Sequence, residues 1–205
     1  PQALVYKDLY AVYRGDTKTL AEHPEWVLKD ANGQNTTIPW GCDPGPCPQF
    51  AGDFGNPAFR AEWINQARVT LAQGGYSGLW IDDANMEMRI ADQTGKQLSP
   101  IDPRTGQPMT FLNFRKYMSE FLVEIRRALP NAQLVANVLW FGGSAIGRDA
   151  DPYIIKAYTA MNRLNLERGF NDDGLTGGSA TRDIWSVDAF MQFIDRMHDP
   201  GIPVA

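Results

Sequence analysis

Short apolar segments alternate with longer amphipathic segments along most of the chain, and this alternation is typical of a parallel α/β fold. The first predicted strand is Val5–Val12, and a long polar stretch with turn signals follows it. Further strands are predicted over 49–53, 77–82, 133–141, 161–167 and 202–205. Helices are predicted to begin at Asn56-Pro57 and at Asp151-Pro152, and to cover 111–129 and 186–197.

The number and order of these elements favour one class of fold. A closed (β/α)₈ barrel has eight parallel strands in about 250 residues, whereas about six strands are predicted here. No Gly-x-Gly-x-x-Gly follows a strand, so the dinucleotide-binding signature is missing. We predict an incomplete TIM barrel that forms a single domain over residues 1–205 and is truncated at both ends. An open, doubly wound sheet of about five or six strands also fits the pattern.

Composition and charge narrow the choice of partners. The chain has 205 residues, a net charge of −5 and 43% hydrophobic residues. Nucleic acid is therefore not expected as a partner, since phosphate binding needs a clustered basic surface. No apolar run approaches the roughly 20 residues that cross a bilayer. No cofactor motif is present, so we predict none.

The cysteines Cys42 and Cys47 flank a Pro/Gly turn. Such a close pair predicts a small loop disulfide, and hence a protein that is secreted or otherwise extracytoplasmic. Two free thiols are the alternative. A zinc site would need more ligands than this loop supplies, and the only histidines are His23 and His198.

The carboxyl ends of the predicted strands carry most of the candidate chemistry, because active sites of parallel α/β folds lie at that edge. Carboxylates recur there, while histidine is nearly absent and no Ser/His or Cys/His arrangement is found. Paired carboxylates with few other catalytic groups favour glycoside hydrolysis, in which one carboxyl is the acid and the other the nucleophile or base.

Asp82 and Asp83 end the segment Ser77–Asp82 and form the most prominent of these candidates. Side chains alternate along a strand, so the two carboxylates are expected to point in opposite directions. Leu79 and Ile81 suit a strand–helix interface, which leaves Asp82 on the inner face. Asp83 instead either binds substrate or caps the next turn.

Glu167 is the second catalytic candidate, because Asn165 and Glu167 share a face of an otherwise apolar strand. A salt bridge or surface cluster with Arg168 is the alternative. The remaining candidates, which are expected to position the sugar, are Lys7, Asp8, Asp83, Asn137, Trp140 and Asn165.

Several segments resemble the hypothetical glycoside hydrolase family 15-like group of barrels. His23-Pro-Glu-Trp-Val-Leu-Lys-Asp-Ala-Asn-Gly33, Asp53-Phe-Gly-Asn-Pro-Ala-Phe-Arg60 and Gly75-Tyr-Ser-Gly-Leu-Trp-Ile-Asp-Asp83 are similar to its motifs and follow in its order, and so does Leu164–Phe170. One departure is Ser77, where many such enzymes have Asp. The resemblance implies a (β/α)₈ barrel, export and polysaccharide hydrolysis, with a nucleophile or essential carboxylate at Asp82 and an acid at Glu167.

The leading hypothesis is thus a secreted glycoside hydrolase whose partner is a polysaccharide or oligosaccharide. A non-catalytic carbohydrate-binding barrel is one alternative. Another is a metal-dependent hydrolase that uses Asp8, Asp53, Asp82 and Glu167 as oxygen ligands.

Overall fold

The computed structural model describes residues 3–43, 45–138, 152–167 and the single residues 191, 194 and 195. The strands are β1 Leu4–Asp8, β2 Ala11–Tyr13, β3 Gln49–Ala51, β4 Gly78–Asp82, β5 Ile101–Asp102, β6 Gln107–Pro108, β7 Gln133–Val138 and β8 Arg163–Leu166. The helices are α1 Thr17–Glu22, α2 Pro57–Ala72, α3 Phe111–Ala128 and α4 Pro152–Tyr158, together with one 3₁₀ turn at Pro24–Trp26.

A four-stranded parallel sheet, in the order β1-β4-β7-β8, is the framework of the fold. Helices α2, α3 and α4 connect its successive strands. Each strand pairs with the next parallel strand along the chain, so the described strands show no reversal of order. A doubly wound sheet requires such a reversal. The sheet is not closed on itself among these residues.

The predicted strand Val5–Val12 is wrong in one respect, because the structure divides it into β1 and β2. The Asp8 carboxylate accepts hydrogen bonds from the backbone N–H groups of Tyr10 and Ala11, at 2.9 and 2.7 Å, and so turns the chain after β1. Strand β2 then pairs antiparallel with β3. The predicted strand near residue 49 therefore exists but lies outside the parallel sheet.

The main core lies between one face of the parallel sheet and the helices that cover that face. Leu79, Ile81 and Leu134 are completely buried on that face. Helix α3 contributes the apolar stripe that its spacing predicts, and five of its residues, Phe114, Met118, Phe121, Leu122 and Ile125, are also completely buried. Helix α2 begins where Asn56 Oδ1 accepts from the N–H groups of Ala58 and Phe59.

The predicted disulfide is confirmed, since Cys42 and Cys47 are bonded. No helix in the described part of the chain is both long and apolar enough to span a membrane. Trp140, Arg168, the predicted strand 202–205 and most of the predicted helix 186–197 lie outside the described residues.

Candidate active site

A row of polar side chains crosses the carboxyl ends of the parallel strands. Asp8 of β1 is in register with Asp82 of β4, and Asn137 of β7 is in register with Asn165 of β8. Ile81 pairs with Ala136, so Asp82 and Asn137 are also adjacent. Side chains at equal height on neighbouring parallel strands lie on the same face, and the four groups therefore form one continuous layer.

Asn137 connects the two carboxylates that the sequence identifies as catalytic candidates. Its Nδ2 donates to Asp82 Oδ1 at 2.8 Å and to Glu167 Oε2 at 3.2 Å. Asn165 Nδ2 donates to Asn137 Oδ1 at 2.6 Å and fixes the orientation of that amide. Because both carboxylate oxygens bond to one nitrogen, they are at most about 6 Å apart, which is within the reach of a catalytic carboxyl pair.

Asp82 is held by two further donors besides Asn137. Tyr6 donates its hydroxyl to Asp82 Oδ2 at 2.7 Å, and the backbone N–H of Asp83 donates to Oδ1 at 2.9 Å. Partial burial and the hydrogen bond to Asp82 raise the pKa of the Tyr6 phenol well above its usual value, so Tyr6 keeps its proton. Asp82 itself is half-buried, whereas Glu167 is exposed.

Tyr6 is not among the candidates that the sequence predicts, because it lies within β1 rather than at its carboxyl end. Tyr6 precedes Asp8 by two positions on β1 and therefore shares its face. That spacing is the signal that could have identified it.

Asp83 leaves the strand pleat immediately after Asp82. Its φ angle is +54°, in the left-handed region that side-chain-bearing residues seldom occupy. Its side chain is 6% exposed, and Oδ1 accepts from Trp40 Nε1 at 3.1 Å and from Asn85 Nδ2 at 3.3 Å. Asp83 therefore lies beneath the polar row rather than on its open surface. Trp40 and Asn85, from distant and neighbouring loops, were not anticipated as its partners.

Asp8 and Asp83 form a buried carboxyl pair, with their side chains within hydrogen-bonding reach of each other. Burial raises the pKa of Asp83 to about 8, and the negative charges of Asp8 and Asp82 add to the effect. Burial also raises the pKa of Asp8 to about 6, against the opposing effect of the N–H groups of Ala11 and Tyr10. Two buried carboxyls beside each other favour one common proton over two negative charges.

Lys7 is not brought together with the other candidates, because it lies on the opposite face of β1. Its Nζ donates to Gln66 Oε1 at 2.9 Å and lies 5.0 Å from the centre of the Trp63 ring. Burial against α2 lowers the pKa of Lys7. Strand alternation separates Lys7 from Asp8, and it could have predicted this placement.

Asp53, a proposed ligand in the metal-dependent alternative, is occupied by an ion pair. Arg104 Nη1 lies 2.7 Å from Asp53 Oδ1, and Arg104 Nε lies 2.7 Å from Asp102 Oδ1. Within the described ranges, no three His, Cys, Asp or Glu side chains are grouped as metal ligands would be. The geometry of these residues therefore does not supply the ligand set which that alternative requires.

This chain resembles known proteins in its structure but not detectably in its sequence. No family model matches the chain, and no curated protein matches its sequence. Among solved structures, it resembles the glycoside hydrolase domain of PelA from Pseudomonas aeruginosa, with a TM-score of 0.56, 14% identity and coverage of 99% of this chain. A noncanonic maltogenic alpha-amylase, AmyB from Thermotoga neapolitana, gives a TM-score of 0.51 at 18% identity over 98% of this chain.

A GH36 alpha-galactosidase, an AgaA variant from Geobacillus stearothermophilus in complex with stachyose, matches with a TM-score of 0.50 and 16% identity over 98% of this chain. The chain spans 65% of the PelA domain, 36% of the amylase chain and 22% of the galactosidase chain. At these identities the likeness shows the fold alone.

Proposed function

We propose that this chain folds as a (β/α)₈-barrel glycoside hydrolase, with Asp82 as nucleophile and Glu167 as general acid and base. The one-directional winding of the parallel sheet supports a barrel, since each βα unit adds the next strand on the same side. The glycoside hydrolase fold of its structural neighbours supports carbohydrate chemistry.

One observation carries the assignment, namely that the Asn137 amide donates to both Asp82 and Glu167. In retaining enzymes the two carboxyl groups are about 5–5.5 Å apart, whereas inverting enzymes need about 6.5–9.5 Å for an intervening water. The upper limit of about 6 Å between the bonded oxygens favours the retaining spacing. We therefore propose a double displacement through a covalent glycosyl ester.

The position of each carboxylate agrees with its proposed role. Asp82 receives hydrogen bonds from Tyr6, Asn137 and the Asp83 N–H, and these bonds hold its carboxylate in one orientation. Glu167 is exposed beyond the end of β8 and can reach a glycosidic oxygen. In the first step Glu167 protonates the glycosidic oxygen, the bond from that oxygen to the anomeric carbon breaks, and Asp82 bonds to the anomeric carbon. In the second step the ionised Glu167 takes a proton from water, and the water oxygen bonds to the anomeric carbon and releases Asp82 as a carboxylate.

The substrate that we propose is a polysaccharide or oligosaccharide. Asn165 lies in the polar row beside Asn137 and can donate to or accept from a sugar hydroxyl. Trp140, near the end of the predicted strand 133–141, is proposed to stack on a sugar ring. The Cys42–Cys47 bond supports an oxidising compartment, and hence export.

Replacement of either proposed catalytic residue tests this function. Asp82→Asn removes the nucleophile and is expected to lower kcat about 10⁴-fold or more. Glu167→Gln removes the proton donor and is expected to lower kcat about 10²–10⁴-fold. The measurement is release of reducing ends from a polysaccharide panel and of nitrophenol from 4-nitrophenyl glycosides.

The control is Asp16→Asn, because Asp16 is an exposed helix N-cap on α1 and Asn caps equally well. Full activity in Asp82→Asn would refute the assignment. Binding of a polysaccharide without hydrolysis by the unaltered protein would favour the carbohydrate-binding alternative instead.

A further inference from the structure

The environment of Asp83 resembles that of a neutral carboxylic acid. Both donors that the structure gives this side chain, Trp40 Nε1 and Asn85 Nδ2, bond to the same oxygen, Oδ1. A protonated carboxyl group has one carbonyl oxygen that accepts and one hydroxyl oxygen that donates. Acceptance at Oδ1 alone leaves Oδ2 available as the hydroxyl.

Asp8 supplies the matching acceptor. Its Oδ1 takes the N–H groups of Tyr10 and Ala11, whereas its Oδ2 is buried without a hydrogen-bond donor among the described residues when both carboxyls are ionised. Asp8 and Asp83 are 7% and 6% exposed, so water offers little compensation to that oxygen. A proton on Asp83 gives Asp8 Oδ2 the partner that it lacks, and removes one of two adjacent buried charges.

We propose that Asp83 is a positioning residue, which as a neutral acid donates to Asp8 and thereby holds the chain that presents Asp82. The bond joins the turn after β1 to the turn after β4. Those turns also meet where Leu9 N–H donates to the Asp82 carbonyl at 3.0 Å. The Asp83 N–H in turn donates to Asp82 Oδ1, so displacement of Asp83 moves a donor of the proposed nucleophile.

The charged and titratable groups around Asp8 and Asp83 favour a single proton shared between the two carboxyls. Asp8 and Asp82 face Asp83 from the ends of β1 and β4, and Tyr10 faces it from the turn after β1. Arg89, from the loop after β4, also acts on this cluster, but its guanidinium pairs with Glu87 at 2.6 Å. The excess of negative groups disfavours a second ionised carboxyl.

Infrared spectroscopy of the full chain tests the protonation without reference to activity. At pH 7 exposed carboxyls are ionised, so within the part of the chain that the structure describes a carboxylic-acid carbonyl band is expected from the buried Asp8–Asp83 pair. Asp83→Asn is expected to abolish the band, and Asp82→Asn and Asp16→Asn to retain it. Absence of the band in the unaltered protein, or its persistence in Asp83→Asn, would overturn the proposal.

Enzyme kinetics test the positioning role, which rests on the proposed function of Asp82. Asn at position 83 keeps an acceptor for Trp40 and Asn85 and a donor for Asp8, whereas Ala keeps neither. Asp83→Asn is therefore expected to retain at least about tenfold more kcat than Asp83→Ala. Equal losses in the two variants would contradict positioning by a neutral donor. An active Asp82→Asn would refute the proposed function and leave the infrared result to stand by itself.

Discussion

At the scale of single residues, the proposed chemistry depends on how Asp82 is oriented. Asn137 and the Asp83 N–H bond to one of its oxygens, and Tyr6 bonds to the other. Hydrogen bonds to a charged acceptor are shorter and stronger than neutral ones, and those that orient a nucleophile act on the transition state. Each donor is therefore expected to affect catalysis measurably.

Tyr6→Phe removes one of these donors and changes little else. Since the Tyr6 side chain is 53% exposed, the folded state is expected to lose less than about 0.5 kcal/mol. Loss of the bond to Asp82 is expected to lower kcat about 10–100-fold. Steady-state kinetics and thermal unfolding of the variant provide the measurement.

Tyr76→Phe is the matched control, because Tyr76 is also exposed, at 44%, and precedes β4 at the end of the strand opposite Asp82. A kcat for Tyr6→Phe equal to that of Tyr76→Phe would show that the Tyr6 hydroxyl does not orient Asp82.

Residue patterns in the sequence predict only part of this arrangement. Alternation along β4 places Leu79 and Ile81 in the core and Asp82 on the other face, as the structure has them. The same rule, extended to β1, separates Lys7 from Asp8. It fails at Asp83, because a positive φ removes that residue from the pleat, and an Asp-Asp pair does not encode a backbone angle. The contact with Trp40 joins residues far apart in sequence, which no local pattern reports.

At the scale of elements, the turns after β1 and β4 determine the height at which the polar groups stand. The turn at Asp8 is made by its own side chain, which captures two backbone N–H groups. Apolar periodicity runs through this point without interruption, so the sequence pattern predicts one strand where the structure has two. The buried Asp8–Asp83 pair then connects the two turns.

This connection predicts a pH dependence of stability. Because the pKa of Asp83 is raised to about 8 in the folded chain, the folded state keeps a proton that the unfolded state releases above its ordinary pKa of about 4. The free energy of unfolding is therefore expected to fall as the pH rises from about 4 to about 8, by up to about 1.4 kcal/mol per pH unit, and to level above that.

Asp83→Asn is expected to remove this slope, since Asn does not titrate. The measurement is chemical denaturation of both proteins across this range of pH, compared as the difference between them so that other groups cancel. The difference is the free energy of unfolding of the unaltered protein minus that of Asp83→Asn, and it is expected to fall toward pH 8. A difference that stays constant with pH, or that rises toward pH 8, would be inconsistent with a proton held by the pair.

At the scale of the whole molecule, strand order and site location agree. Each parallel strand of the described sheet adds its polar residue to the same edge, so four strands far apart in sequence build one layer. The same fold recurs in structures of glycoside hydrolases, and this chain spans 65% of the PelA domain that it resembles. The central claim is that this layer holds a retaining carboxylate pair.

Trapping of the covalent intermediate tests that claim most directly. The reagent is the activated 2-deoxy-2-fluoro glycoside of whichever sugar the substrate panel identifies, because the fluorine slows hydrolysis of the glycosyl ester. Mass spectrometry of the digested protein is expected to find one added sugar on the peptide that contains Asp82, and none on that peptide in Asp82→Asn. An adduct on a different carboxylate, or product released with inverted anomeric configuration, would contradict a retaining mechanism with Asp82 as nucleophile.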